Sequence, residues 1–243
     1  MFSFFKAKPP LVTDLSWLEV DLHSHLLPGL DDGAADVETS IYLIKALQEL
    51  GIKKFICTPH IYQELYPNTP ETIASALGQL QTALATQSIP VALTAAAEYM
   101  VDNDFEVKPG LLCLSKQYLL IEMSYLNETP NIEQLIFDLQ IKGYQVVLAH
   151  PERYNFYHKT FYRYQRFKDM GVLFQLNLLA VAGYYGNEVK KTAEQLLAAN
   201  YYDLAATDLH HDKHLEALIN YTKSGRLYQK IGQYPFKNKA LFL

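Results

Sequence analysis

The chain has 243 residues, a net charge of −5 and a 49% hydrophobic fraction, enough to bury a full core in one domain of α/β-barrel length. No run of Lys or Arg offers a phosphate-backbone footprint, which argues against a nucleic-acid partner. Its two cysteines, Cys57 and Cys113, are too few for a disulfide framework; Gln63 and Leu119 stand six positions after them, so the C-x5-R cradle of cysteine-dependent phosphatases is absent as well.

The chain is expected to form a single domain over 1–243, with 1–18 as an N-terminal extension. That extension begins with Phe2, Phe4 and Phe5 and is broken by Lys6, Lys8, Pro9 and Pro10, so it lacks the apolar stretch of a signal peptide. The three phenylalanines either pack on the domain or touch a partner or membrane. No run reaches the ~18 apolar residues of a spanning helix, and the expected location is cytoplasmic.

Seven apolar, β-rich runs follow, at 18–25, 53–60, 91–99, 117–124, 144–150, 173–179 and 202–208. Most are continuously apolar rather than alternating, which suits parallel strands covered on both faces. Helical patterns separate them. The pattern over 36–50 starts at Asp36 as N-cap, carries Leu43, Leu47 and Leu50 on one face, and stops at Gly51. Others span 70–87, 131–142, 158–170, 187–199 and 212–223. Only 100–116 breaks the rhythm and reads as an irregular or hairpin insert. Alternating strand and helix predicts right-handed βαβ units, either closed into a barrel or laid out as an open doubly wound sheet.

The polar residues favour the barrel. His23 and His25 end the first strand, His60 the second, Glu98 the third, Glu122 the fourth, His150 the fifth, and Asp208 with His210 the last. In a barrel all these ends meet at one mouth. His23 and His25, two apart on a strand, face the same side and can grip one cation. Asp31 and Asp32 follow in a D-D-G turn. This nitrogen and oxygen donor set suits Mn, Fe or Zn and exceeds the needs of a single ion. Multi-metal sites of this type generate a hydroxide and clamp an in-line displacement, typically at a phosphate ester. Arg153, three residues after His150, offers a fork for two phosphate oxygens, or else pairs with Glu152. The Tyr- and Arg-rich segment 153–167 walls a cleft or packs into the core. Tyr62 and Tyr66 are rim candidates, and Asn177 either caps a helix or touches substrate.

HSHLLPGLDDG, CTPH, AAEY, LLIEMS, AHPERY and ATDLH, in that order, resemble the PHP (polymerase and histidinol phosphatase) superfamily over residues 19 to about 210. The H-x-H…D-D-G opening and HPERY are most similar to its bacterial protein tyrosine phosphatases of capsule and exopolysaccharide synthesis (CpsB/CapC-like). The resemblance implies a distorted seven-stranded (β/α) barrel with a metal site at the C-terminal strand ends. It implies two or three divalent ions, Mn foremost, with Fe or Zn as alternatives. His23, His25, Glu98 and Asp208 hold the first; Glu98 bridges to a second held by Glu122 and His150; Asp32, His60 and His210 hold the third. Asp31 supports from behind. Arg153 binds the substrate phosphate and, with Asp208, is the expected catalytic residue. The implied reaction is phosphotyrosine hydrolysis by a metal-bridging hydroxide, on a phosphotyrosine protein such as a bacterial tyrosine autokinase regulating polysaccharide synthesis. The alternative is a small-molecule phosphomonoesterase of the histidinol-phosphatase type. A non-enzymatic PHP module fits less well, because every ligand position is filled. No general acid stands out, and the oligomeric state is open.

Overall fold

A computed structural model describes residues 11–243; the Phe2, Phe4 and Phe5 cluster lies outside the described residues. Of the extension, Leu15 and Leu18 are buried.

Two parallel sheets carry the strands. The first has β1 (Val20–Asp21), β2 (Lys54–Cys57) and β4 (Ala92–Ala95), in that order. The second runs β3 (His60–Ile61), β5 (Glu98–Met100), β6 (Tyr118–Glu122), β7 (Gln145–Ala149), β8 (Leu173–Asn177) and β9 (Tyr202–Ala206). Neither sheet closes on itself. The expected second and third strands are each broken in two, at Thr58-Pro59 and at Ala96-Ala97. Pro59 has no N–H to give a ladder. Single bonds still cross both breaks, from Ala96 N to Cys57 O (2.8 Å) and from Glu98 N to Pro59 O (3.1 Å).

The helices are α1 (Val37–Glu49), α2 (Pro70–Thr86), α3 (Ile132–Ile141), α4 (Tyr162–Asp169), α5 (Leu178–Ala182), α6 (Asn187–Ala198), α7 (Asp212–Lys223), α8 (Arg226–Ile231) and α9 (Asn238–Phe242). The Asp36 carboxylate caps α1 by accepting from Thr39 N at 2.8 Å. Thr69 and Thr72 form a reciprocal capping box at α2, with Pro70 in its first turn. Segment 158–170 becomes helical only from Tyr162, after two 3-10 turns. The short helices α5, α8 and α9 carry too few periods to stand out in a sequence. The insert 100–116 contains no strand beyond Met100.

The interior divides in two. A small apolar cluster lies among the strands and includes Val20, Ile56, Leu120, Val147 and Leu204, together with Phe242 of α9. A larger one fills the layer between strands and helices. Tyr154, Tyr157, Tyr164 and Phe167 are fully or almost fully buried there, so these four residues of the 153–167 segment are core. No helix among the described residues is long and apolar enough to cross a membrane.

The first and last strands meet at a seam. Its upper half is backbone: Asp208 N donates to His23 O (2.8 Å) and His25 N to Leu209 O (2.9 Å), with a parallel bridge between Ser24 and Leu209. Its lower half is stitched by side chains. Asp21 accepts from Thr207 N at 2.9 Å and from Thr207 Oγ1 at 2.6 Å. Burial pushes the Asp21 carboxyl up to about 6. Asn238 Nδ2 donates to Val20 O (3.0 Å) and Ala205 O (2.6 Å), and its Oδ1 accepts from Ala205 N (3.1 Å). Asn238→Ala orphans these buried backbone groups and is expected to cost about 1–3 kcal/mol. Urea unfolding measures it, and an unchanged midpoint would show that the stitch is redundant.

Candidate metal centre

Every polar residue singled out at a strand end stands at one mouth. His23 and His25 follow β1, His60 opens β3, Glu98 opens β5 and Glu122 closes β6. His150 follows β7, while Asp208 and His210 follow β9. Asp32 reaches in from the turn after His25. The cleft above them has a volume of ≈ 570 Å³ and is rimmed by Tyr62, Leu65, Tyr66, Tyr125 and Leu126. The D-D-G turn needs its glycine, because a Cβ on Gly33 would lie 2.2 Å from His25 O and 2.5 Å from His25 Cβ.

Three sets of donor atoms converge closely enough for shared cations: His23, His25, Glu98 and Asp208; His25, Asp32, His60 and His210; and His60, Glu98 and Glu122. The first contains the four residues expected together. The second adds His25 to the expected trio. In the third, His60 takes the position expected of His150. His60 Nδ1 is 3.2 Å from Glu98 Oε2 and 2.9 Å from Glu122 Oε1, whereas His150 Nε2 is 3.1 Å from Glu98 Oε1 but 3.9 Å from Glu122 Oε2.

The hydrogen-bond pattern tests whether cations suit these donors. The His150 N–H donates to Gln175 Oε1 at 3.3 Å, and Gln175 Nε2 donates to Leu176 O at 2.7 Å. Gln175 Oε1 is therefore an acceptor, so His23 Nδ1, 2.9 Å away, must carry its proton. In neutral His23 that leaves Nε2 a bare lone pair aimed into the cluster. The same logic holds for His25, whose Nδ1 meets Asp31 Oδ2 at 2.8 Å, and for His210, whose Nδ1 meets Asp208 O at 2.9 Å. Asp31 is fixed in turn by His60 N (2.9 Å) and Gly33 N (2.9 Å). The Nε2 atoms of His23 and His25 then face each other at 3.3 Å. Glu98 Oε2, fully buried, has no hydrogen bond, although the two lie 3.1 and 3.3 Å from it. Lone pairs converging on one point, rather than pairing donor to acceptor, fit divalent cations.

Glu98, Asp208 and His210 lean the same way, whereas His25 holds a proton that a bound cation would displace. Burial alone would raise Glu98 and Asp208, but the imidazoles around them hold both well below the usual carboxylate range. Burial would lower His25, and Asp31, Asp208 and Glu98 outweigh it to raise it well above its ordinary value. Burial and the neighbouring His25 push His210 down to about 3.

Arg153 lies on the rim of the same cleft. Its Nη1 donates to Asp208 Oδ2 at 2.9 Å, and not to Glu152. Asn177 Nδ2 donates to that same oxygen at 2.8 Å, while Asn177 Oδ1 caps α5 by accepting from Leu179 N at 2.8 Å. Glu152 is buried beneath, accepting from Asn177 N (2.9 Å) and the Tyr202 hydroxyl (2.8 Å). Asp208 thus turns one oxygen to the histidines and the other to Arg153 and Asn177. Gln175, Tyr125 and Tyr185 were not marked by the sequence, and Glu152 was expected only as a partner for Arg153. A buried Gln inside the apolar run LFQLNLL was the one available signal. His211 caps α7 and His214 is buried beside His210.

Comparison with known proteins follows this geometry. The family model for capsular polysaccharide synthesis, CpsB/CapC, matches residues 19–237. The tyrosine-protein phosphatase YwqE of Bacillus subtilis (strain 168) is 33% identical over 198 residues, covering 80% of this chain and 78% of that protein. The tyrosine-protein phosphatase CpsB of Streptococcus pneumoniae is 26% identical over 200 residues, covering 79% and 82%. A solved chain from the work on YwqE and CpsB, described as unique metal-dependent tyrosine phosphatases, superposes with a TM-score of 0.80 at 30% identity over 92% of this chain and 94% of that one. The lactonase Lmo2620 of Listeria monocytogenes, 12% identical with a TM-score of 0.53 over 93% and 91% of the two chains, shares the fold alone.

His25 belongs to two of the three donor sets, so His25→Ala is expected to lower the Mn²⁺ retained per chain, measured by mass spectrometry of the dialysed protein. Gln175→Leu frees the His23 ring and is expected to weaken metal binding about 10–100-fold. Wild-type affinity in a calorimetric titration of that variant would contradict the tautomer lock.

Proposed function

Because this chain belongs to the CpsB/CapC family of capsular polysaccharide synthesis, we propose that it is a metal-dependent tyrosine phosphatase working at the mouth just described. The observation that carries this is the convergence of unpaired donor atoms on a cleft whose one arginine is anchored to a donor carboxylate. His23, His25, Glu98 and Asp208 hold a first ion. A second would be held by Glu98 and Glu122 with His150 or the nearer His60. Asp32, His60 and His210 hold a third, with His25 in reach. Mn²⁺ suits this nitrogen and oxygen set, as do Fe and Zn. Ions held there supply a water acidified to near neutrality and counter-charge for phosphoryl oxygens.

The protein's own groups do the rest. Arg153 offers in-plane N–H groups to two phosphate oxygens. Asp208, the second residue assigned a catalytic role, anchors that guanidinium with one oxygen while the other stays with His23 and His25. The rim of Tyr62, Leu65, Tyr66 and Leu126 gives an aryl ring an apolar approach, and the cleft's openness suits a tyrosine borne on a protein better than a small free metabolite. With the donor residues committed to the ions in this reading, the phenolate would be stabilised by an ion or protonated by water. A tyrosine autokinase of polysaccharide synthesis is the substrate this reading favours, in the cytoplasm.

Two architectural readings accompany it. The two sheets act as one distorted seven-stranded ring, in which β2 with β3, and β4 with β5, each count once; the Ser24–Leu209 bridge supports closure. The chain acts as one domain, supported by the large cluster that spans residues from Leu15 to Ile231.

Purified protein is expected to release phosphate from p-nitrophenyl phosphate and from a phosphotyrosine peptide with Mn²⁺, and to lose this with EDTA. Metal-independent release, or none, would sink the reading. Faster turnover of histidinol phosphate would favour a small-molecule phosphomonoesterase instead.

A further inference from the structure

We propose that Tyr125 and Tyr185 are positioning residues that clamp the Arg153 guanidinium edge-on to the phosphate site, a role that rests on the phosphatase reading above. The Arg153 guanidinium carbon lies 4.4 Å from the Tyr125 ring centroid and 4.3 Å from that of Tyr185. At that distance each ring presents its π-face to the guanidinium. All five N–H groups of a guanidinium lie in its plane. With Nη1 committed to Asp208 at 2.9 Å, the remaining in-plane donors are the ones left for the cleft that Arg153 lines.

Neither ring is placed by chance packing. Tyr185 sits in the turn after α5, and its hydroxyl accepts from Asn177 Nδ2 at 3.1 Å. That amide also donates to Asp208 Oδ2 at 2.8 Å, so one ring is keyed to the carboxylate that anchors the arginine. Tyr125 comes from the separate loop after β6, and its hydroxyl is 3.4 Å from His150 Nε2. One jaw is therefore referenced to Asp208 and the other to His150. A long, flexible arginine is held in one plane before substrate arrives, so less rotamer freedom is lost on binding.

The clamp needs aromatic faces rather than hydroxyls, which makes it testable in the Mn²⁺-loaded protein. Tyr125→Leu and Tyr185→Leu are each expected to raise KM for p-nitrophenyl phosphate, and the inhibition constant of inorganic phosphate, about 5–10-fold, with a smaller change in kcat. Tyr125→Phe and Tyr185→Phe are expected to keep both constants within about twofold, since Phe retains the ring quadrupole. In an Arg153→Lys background, where no planar group remains, the Leu changes are expected to add no further loss. Tyr125 is 38% exposed, so its variants decide the matter if Tyr185→Leu does not fold. Wild-type constants in the Leu variants, Phe variants as impaired as Leu in KM, or an undiminished Leu effect in the Arg153→Lys background would each overturn the clamp. A wild-type protein inert toward p-nitrophenyl phosphate overturns the phosphatase reading instead, and calorimetric phosphate binding by the same variants still reads the clamp.

Discussion

One buried carboxylate oxygen organises the mouth of this fold. Glu98 Oε2 has imidazole nitrogens of His23, His25 and His60 at 3.1, 3.3 and 3.2 Å, and no hydrogen bond. A buried carboxylate is costly unless neighbouring groups or ions share its charge, and here imidazoles surround it. The surroundings maintain it. Gln175 and Asp31 turn two rings by their far nitrogens. Asn177, backed by Glu152, steadies Asp208. The backbone contributes too: His150 (φ 31°) and Asp208 (φ 50°) sit in the left-handed region, which non-glycine residues enter at a cost and retain where the surroundings over-determine them. Both residues lie just beyond a strand, where that conformation turns the chain sharply while leaving the side chain over the mouth.

The sequence carried the large features because they are written in periodicity. Continuous apolar runs marked the strands, and the helices α1, α2, α3, α6 and α7 lie within a residue or two of their expected spans. The mouth was legible because ligand-type residues recur at strand ends, a pattern independent of which residues finally touch. What escaped was whatever depends on distance rather than spacing. Pro59 breaks a strand that hydropathy alone reads as continuous. His60 and His150 occupy equivalent places in the sequence, and only the fold puts the His60 ring nearer to Glu122. Gln175 and Glu152 act from beneath the cleft through single hydrogen bonds, which leave no periodic trace. Tyr125 and Tyr185 lie in loops, where aromatic residues have many uses; their shared partner Arg153 appears only when 60 positions of chain are folded between them.

The cleft also illustrates how a parallel sheet divides labour. Apolar side chains pack among the strands below the donor residues, and helices cover their other face. The donor residues gather at one end, where the strands stop and loops begin. Substitution in those loops can retune the rim without disturbing the layer that fixes the donors. The exposed Leu65 and Leu126 belong to that adjustable layer, whereas Gly33, wedged against His25, does not.

The seam between first and last strands has a temporal meaning. β1 is made well before its partners: Thr207 follows Asp21 by 186 positions, and Asn238 follows Val20 by 218. Contacts so remote in sequence carry a heavy loop-closure cost and form slowly. Until β9 and α9 are made, the nascent chain displays an unpaired strand edge beside two histidines. Growing chains in that condition are the ones prone to aggregate or to meet the wrong partner. The donor cluster therefore assembles only once Asp208 and His210 have joined the histidines that precede them by some 185 positions.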